Sequence, residues 1–286
     1  MHSECAIIIG IQSGTFPGER SAFSMLANSL RLRGLQIAFL FGPPRVIERD
    51  EAALIHSAVC HELKQDDLGF RYQPSGDADK PSSRGMSITF DRKEGRGQFS
   101  VSIQMPSVNM PIRLLLSYDY PPSLHPADEA FDMAYGAIFR TLSGTWTRVL
   151  AEVRLYAQCD TREKSGLGFI TQTFLKLDEQ WLAELGKPLI SSSVKFLVGA
   201  TSPTGGNQLE GPTRNLQIEV LREDPRCVYL ELTHQWPQLP VISMVPPQTI
   251  DFGAIRRIDE KPSDYVREAY NYLTVCVESL SKKGKP

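Results

Sequence analysis

Two hydrophobic periods divide this chain. Its N-terminal third mixes unbroken apolar runs with helical spacing, and the middle shifts to strict alternation. Residues 6–11 are almost continuously apolar and rich in isoleucine, which predicts a strand covered on both faces. Gly14, Pro17 and Gly18 interrupt the run. Over 21–33, Phe23, Leu26 and Leu30 recur at helical spacing, Met25 and Leu32 widen the stripe, and Gly34 stands where a helix would stop. A second buried strand is predicted over 35–41 and an amphipathic helix over 51–63. The stretch 73–84 has Pro, Ser, Gly, Asp and Lys but no large apolar residue, which predicts a surface loop.

Beyond that loop the period becomes two. Val101, Ile103 and Met105 alternate with polar residues, as Ile112, Leu114 and Leu116 do less strictly. A helix is predicted from Pro126, a favourable first-turn residue, to Leu142. A hairpin is predicted from 149–157 and 168–177, a short helix over 178–185, and strands over 194–198, 216–221 and 228–232. A last helix is predicted from a Ser263 cap to about Leu280.

Parts of this pattern occur twice. Ile112-Arg-Leu-Leu-Leu-Ser-Tyr-Asp-Tyr-Pro121 lies over Val228-Tyr-Leu-Glu-Leu-Thr-His-Gln-Trp-Pro237 with its apolar positions, hydroxyl, last aromatic and proline in register. The preceding strands align Val101 with Leu216 and Ile103 with Ile218 if one turn differs in length. The following helices align Phe131 with Val266, Ala134 with Ala269 and Ile138 with Leu273. Similarity across a whole supersecondary unit points to two structural copies, although antiparallel hairpins followed by helices share alternation in any case. The expected fold class is α+β, a predominantly antiparallel sheet with long helices, in two related halves. Residues 1–145 would form the first, with an insertion over 44–85, and residues 146–286 the second. The element order resembles helix-grip folds, in which a curved sheet wraps a helix; that resemblance implies a fold and no activity.

Composition narrows the function classes. The 286 residues are 41% hydrophobic and carry 31 basic against 33 acidic side chains, a net charge of −2. By size scaling, roughly 74% of the unfolded surface is buried on folding, enough for a core without disulfides or a structural metal. Balanced charge lacks the footprint of a dedicated nucleic-acid binder. The five cysteines are scattered with no paired spacing, which suits a reducing compartment. No apolar run approaches the ~20 residues that span a bilayer. The first residues lack the basic segment of a signal peptide. A cytoplasmic protein away from membranes is expected.

Local chemistry is sparse. Gly10, Ser13, Gly14, Thr15, Gly18 and Arg20 form a strand-to-helix loop where a helix N-terminus could hold phosphate. Their spacing matches neither a dinucleotide fingerprint, a P-loop nor a nucleophile elbow, and the plainer reading is a tight turn. His56 and Cys60 share a helix face and could supply two metal ligands, but no second cluster supplies a third. No metal and no cofactor is expected. Tyr120 and Trp236 head two aromatic–proline corners, and Val241 and Met244 lie in an apolar Pro-rich run; rigid aromatics make good interface anchors. The plainer reading buries those aromatics under the helices.

The function expected is therefore that of a non-catalytic accessory protein working through protein–protein contacts. A second reading is an enzyme or small-ligand binder, of nucleotides for example, using a groove near the 10–18 loop. A third is a sheet-based RNA binder that would use Phe99, Tyr118 and Tyr229, against which the balanced charge argues.

Overall fold

The computed structural model describes residues 27–42, 46–65, 69–73, 85–91, 98–104, 111–142, 147–162, 165–175, 191–199, 212–236 and 261–282. The N-terminal apolar run, the 10–18 loop, the 74–84 stretch, the helix expected over 178–185, and Val241 and Met244 lie outside them.

Among the described residues nine strands form one antiparallel sheet. In chain order they are β1 (Arg31–Gly42), β2 (Gly69–Gln73), β3 (Gly85–Asp91), β4 (Gln98–Gln104), β5 (Ile112–Asp119), β6 (Thr147–Asp160), β7 (Ser193–Val198), β8 (Thr213–Val220) and β9 (Cys227–Gln235). Their spatial order is β2-β3-β4-β5-β1-β6-β9-β8-β7. The helices are α1 (Arg49–Leu63), α2 (Leu124–Thr141), the short α3 (Gly166–Ile170) extended by a π turn (Thr171–Leu175), and α4 (Pro262–Lys282). At 15, 18, 5 and 21 residues, they are not the long helices that were expected.

Alternation decides which face each side chain joins. Leu35, Ile37, Phe39 and Phe41 of β1, Val153 and Leu155 of β6, Leu114 and Leu116 of β5, and Leu230 and Leu232 of β9 are all buried toward the helices. Aromatic rings tie this layer together. Phe39 lies 5.2 Å from Tyr135 of α2 and 5.9 Å from Tyr265 of α4, and Tyr265 meets Trp236 edge-on at 4.6 Å.

Three expectations change. First, where the helix predicted over 21–33 falls on described residues, 27–33, it gives way to a 3-10 turn (Ala27–Ser29) and to β1, which starts at Arg31. Leu30 and Leu32 alternate with Arg31 and Arg33, a period that also fits a strand, and pairing with β6 selects it. Second, residues 168–175 are helical rather than the return strand of a hairpin. Both edges of β6 are already taken, by β1 and β9. Ser165 accepts a hydrogen bond from Gly168 N–H, and Thr171 donates to the Leu167 carbonyl, so the turn is held locally. Third, Ser263 does not cap the last helix. It is buried, and both its N–H and its hydroxyl donate to Asp132 of α2.

Along the chain the described elements run β1-α1-β2-β3-β4-β5-α2 and then β6-α3-β7-β8-β9-α4, four strands after the first helix in one series and three in the other. The boundary at 145/146 falls between α2 and β6. Val101 pairs with Leu116 as Leu216 pairs with Leu232, and Ile103 pairs with Leu114 as Ile218 pairs with Leu230. Between α2 and α4 the contacts cross. Arg267 donates to Asp128 at 2.8 Å and Ser263 to Asp132 at 2.7 Å, so the two aligned positions, 128/263 and 132/267, contact each other reciprocally.

Leu155 is fully buried on a strand with neighbours on both sides. Leu155→Ala should cost about 3 kcal/mol in urea denaturation. Burial raises the pKa of Asp128, with the Arg267 hydrogen bond opposing the shift. A raised carboxyl pKa means that the folded state holds the proton more tightly. Stability from this group therefore falls as pH rises from the ordinary aspartate range through the folded-state value. Asp128→Asn should gain stability relative to wild type between about pH 3 and pH 7, and a constant difference across that range would contradict the assignment.

Candidate functional site

The face of the sheet opposite the helices is polar and bears a groove. One transverse row of paired residues crosses six strands: Asp119 on β5, Gly34 on β1, Tyr156 on β6, Glu231 on β9, Gln217 on β8 and Lys195 on β7. Beside it run Gln158, Tyr229 and Glu219. A groove of about 660 Å³ opens over these rows, with Arg33, Asp119 and Tyr120 from the first half facing Tyr156, Glu219, Tyr229 and Glu231 from the second.

A β-bulge builds the near wall. Leu32 pairs with Ala157 and Gly34 with Tyr156, leaving Arg33 as the extra residue. The apolar phase records this directly, since Leu30 and Leu32 occupy even positions whereas Leu35, Ile37 and Phe39 occupy odd ones. A bulge re-aims one side chain at the end of a strand, and here it sends Arg33 into the groove. At Gly34 a Cβ would stand 3.0 Å from Cδ2 of Tyr156, so the tyrosine ring takes the space a side chain would need. The Tyr156 and Tyr229 rings lie side by side, 6.4 Å between centroids and 18° from parallel.

Arg33 donates to Glu223 at 2.6 Å, to the Tyr120 hydroxyl at 3.2 Å and to Gln158 at 3.4 Å. Its guanidinium carbon is 5.6 Å from the Tyr120 ring centroid, within cation–π range. The Tyr120 hydrogen bond, then that of Glu223, raises the Arg33 pKa, so the group stays cationic. Tyr120 itself has φ of 50°, a left-handed conformation costly for a non-glycine residue, held by its N–H donating to the Arg33 carbonyl at 2.8 Å. Trp236 donates to the Ala151 carbonyl in the corresponding way at 3.0 Å, but its ring turns inward.

The groove is predominantly acidic, with Asp119, Glu219, Glu223 and Glu231 against Arg33 and Arg222. Burial, and next the negative charge of Glu231, pushes the Tyr229 hydroxyl up to about 12; the same two causes raise Tyr156. Near the groove's end the Cys227 thiol donates to Asp160 at 3.1 Å, and burial ahead of Asp160 pushes it up to about 12. Phenols and thiols shifted this way stay protonated at neutral pH and are poor bases and nucleophiles.

The residues singled out from sequence are dispersed. Tyr120 stands on the groove's rim, 57% exposed, whereas Trp236 is 3% exposed beneath α4, stacked on His234 at 4.3 Å, and belongs to the core. Gly10, Ser13, Gly14, Thr15, Gly18 and Arg20 lie outside the described residues. His56 and Cys60 do meet, Nε2 to Sγ at 3.3 Å, with the imidazole stacked on Phe70. Among the described residues no group of three His, Cys, Asp or Glu side chains could hold a metal. Phe99 and Tyr118 are buried toward the helices, and of the three proposed RNA-stacking rings only Tyr229 faces the groove.

Sequence reasoning assigned no site role to Arg33, Gly34, Tyr156, Glu223, Asp119 or Glu231. The phase change at Gly34 was a usable signal. The meeting of Tyr156 with Glu231 was not, because it depends on strands pairing 75 positions apart in the chain.

No helix among the described residues is long and apolar enough to cross a membrane. The chain matches no protein-family model and no curated protein.

The shifted phenols are directly measurable. In an ultraviolet pH titration at about 295 nm, Tyr156 and Tyr229 should ionise after the exposed tyrosines. Glu231→Gln should lower both midpoints while leaving them above the ordinary value, since burial remains. Unchanged midpoints would place the charge elsewhere.

Proposed function

We propose that this protein is a non-catalytic binding protein that engages a partner protein through the open face of its sheet. The observation that carries this reading is the groove straddling both halves, floored by two side-by-side tyrosines and rimmed by the strained, exposed Tyr120. Tyrosines combine a rigid apolar ring with a polar tip, which suits interface anchors. The protonated phenols and thiol support recognition over proton transfer. Excess carboxylates disfavour an RNA backbone at this face. A cytoplasmic location fits the cysteine usage and belongs to the same proposal.

The groove's volume also falls in the range of small-ligand sites, which keeps the small-ligand reading as the competitor. Affinity capture from the native host, with mass spectrometry of proteins and small molecules, separates the two. Wild type should retain a partner protein that Glu231→Arg and Tyr120→Ala release while remaining folded. A partner set unaffected by both variants, or a stoichiometric small molecule lost with them, would overturn the proposal.

Duplication of an ancestral half is the second part of the reading. It is supported by a strand, a helix, a run of antiparallel strands and a closing helix in each series, by the matched registers of β4–β5 and β8–β9, and by the reciprocal α2–α4 contacts, because reciprocity is the signature of a twofold interface. Fragments 1–145 and 146–286, co-expressed, should assemble into a heterodimer with the intact protein's circular dichroism. Fragments that fold and stay apart would count against the paired-halves interpretation.

A further inference from the structure

Resting on the binding reading above, we infer that the groove receives an arginine side chain from the partner protein, its guanidinium lying against Tyr156 and Tyr229 and paired with Glu231. Geometry and charge complementarity carry the inference together. Glu231 sits directly across from Tyr156 and two residues along β9 from Tyr229. Its carboxylate forms no ion pair among the described residues, although Arg33 and Arg154 both occupy the same face. Arg33 is committed to Glu223 and Tyr120, and Arg154 to Glu152 at 2.8 Å. A half-buried carboxylate beside two aromatic faces is electrostatically incomplete when Arg33 and Arg154 pair with other carboxylates, Arg154 also bonds Tyr156, and the remaining groove cation, Arg222, is exposed. A cation that stacks as well as pairs would complete it.

Guanidinium fits better than ammonium. It is planar, stacks on tyrosine, and bonds a carboxylate in bidentate fashion, and its weaker hydration makes partial burial less costly. The groove already contains one such arrangement at its rim, where Arg33 lies against Tyr120 and pairs with Glu223. The aligned positions in the other half lack the chemistry, since Glu231 corresponds to Leu115 and Tyr229 to Arg113. The site therefore belongs to one end of the sheet only.

The probe is the tripeptide acetyl-Gly-Arg-Gly-amide, titrated into the intact ¹⁵N-labelled protein and followed by amide chemical shifts. Its lysine and citrulline counterparts and spermidine serve as comparisons. Shifts should centre on Gly34, Tyr156, Tyr229 and Glu231, with affinity in the order arginine, lysine, citrulline, and should weaken as salt rises. Glu231→Gln should weaken the arginine peptide about ten-fold, the equivalent of about 1.4 kcal/mol. Asp119→Asn, farther along the row, should weaken it less. Equal binding of citrulline, shifts centred elsewhere, or an unchanged affinity in Glu231→Gln would overturn the inference. Tighter binding of spermidine than of the peptide would assign the site to a free polyamine and overturn the protein source. If the peptide fails while Glu231→Arg still releases a captured partner, the arginine assignment falls and the binding face stands. If neither effect is seen, both fall.

Discussion

Everything in this structure hangs on the antiparallel pairing of β1 with β6. Among the described residues each is the first and longest strand of its part of the chain, at 12 and 14 residues, and pairs with the last described strand of the same part. Joining them turns two sheets into one and removes two exposed edges, which would otherwise invite association with other chains. It also lays Leu35, Ile37, Phe39, Val153 and Leu155 side by side at the centre of the buried face. The aromatic series through Phe39, Tyr135, Tyr265 and Trp236 then packs α2 and α4 across the seam.

The same pairing creates the groove. The bulge at Arg33 exists because β1 and β6 must stay in register on the helix side while one residue is accommodated on the other. Gly34 leaves room for Tyr156 because the two are directly paired, and Tyr156 is thereby held beside Glu231. One register error in the central pair would turn these side chains toward the helices and the core residues toward solvent. Stability and recognition therefore share a single constraint.

The ends of β5 and β9 send their aromatic rings in opposite directions. Tyr120 and Trp236 close their strands with corresponding backbone hydrogen bonds, to Arg33 and to Ala151. Trp236 turns into the core against His234 and Tyr265, while Tyr120 adopts a left-handed backbone and stands outward over Arg33. A bulky ring inside contributes burial energy, whereas a strained ring outside contributes none. A conformation that costs stability at a groove's rim is where a functional constraint is expected to act.

Local pattern was enough for most of the described strands and for α1, α2 and α4, because burial of one face imposes period two on strands and 3.6 on helices wherever the chain is read. It was not enough at residues 27–33 or 168–175. Leu30 and Leu32 suit either period, and a return strand beside β6 is impossible only once β1 and β9 occupy both edges. The groove was least legible. Tyr156, Glu231 and Asp119 look like ordinary polar strand positions, and only long-range pairing brings them to one row with Gly34. The sequence by itself determined, along most strands and three helices, which positions alternate toward the core. Tertiary structure decided which strands meet, because pairing energy depends on partners far apart in the chain, and so decided where aromatic rings and carboxylates converge.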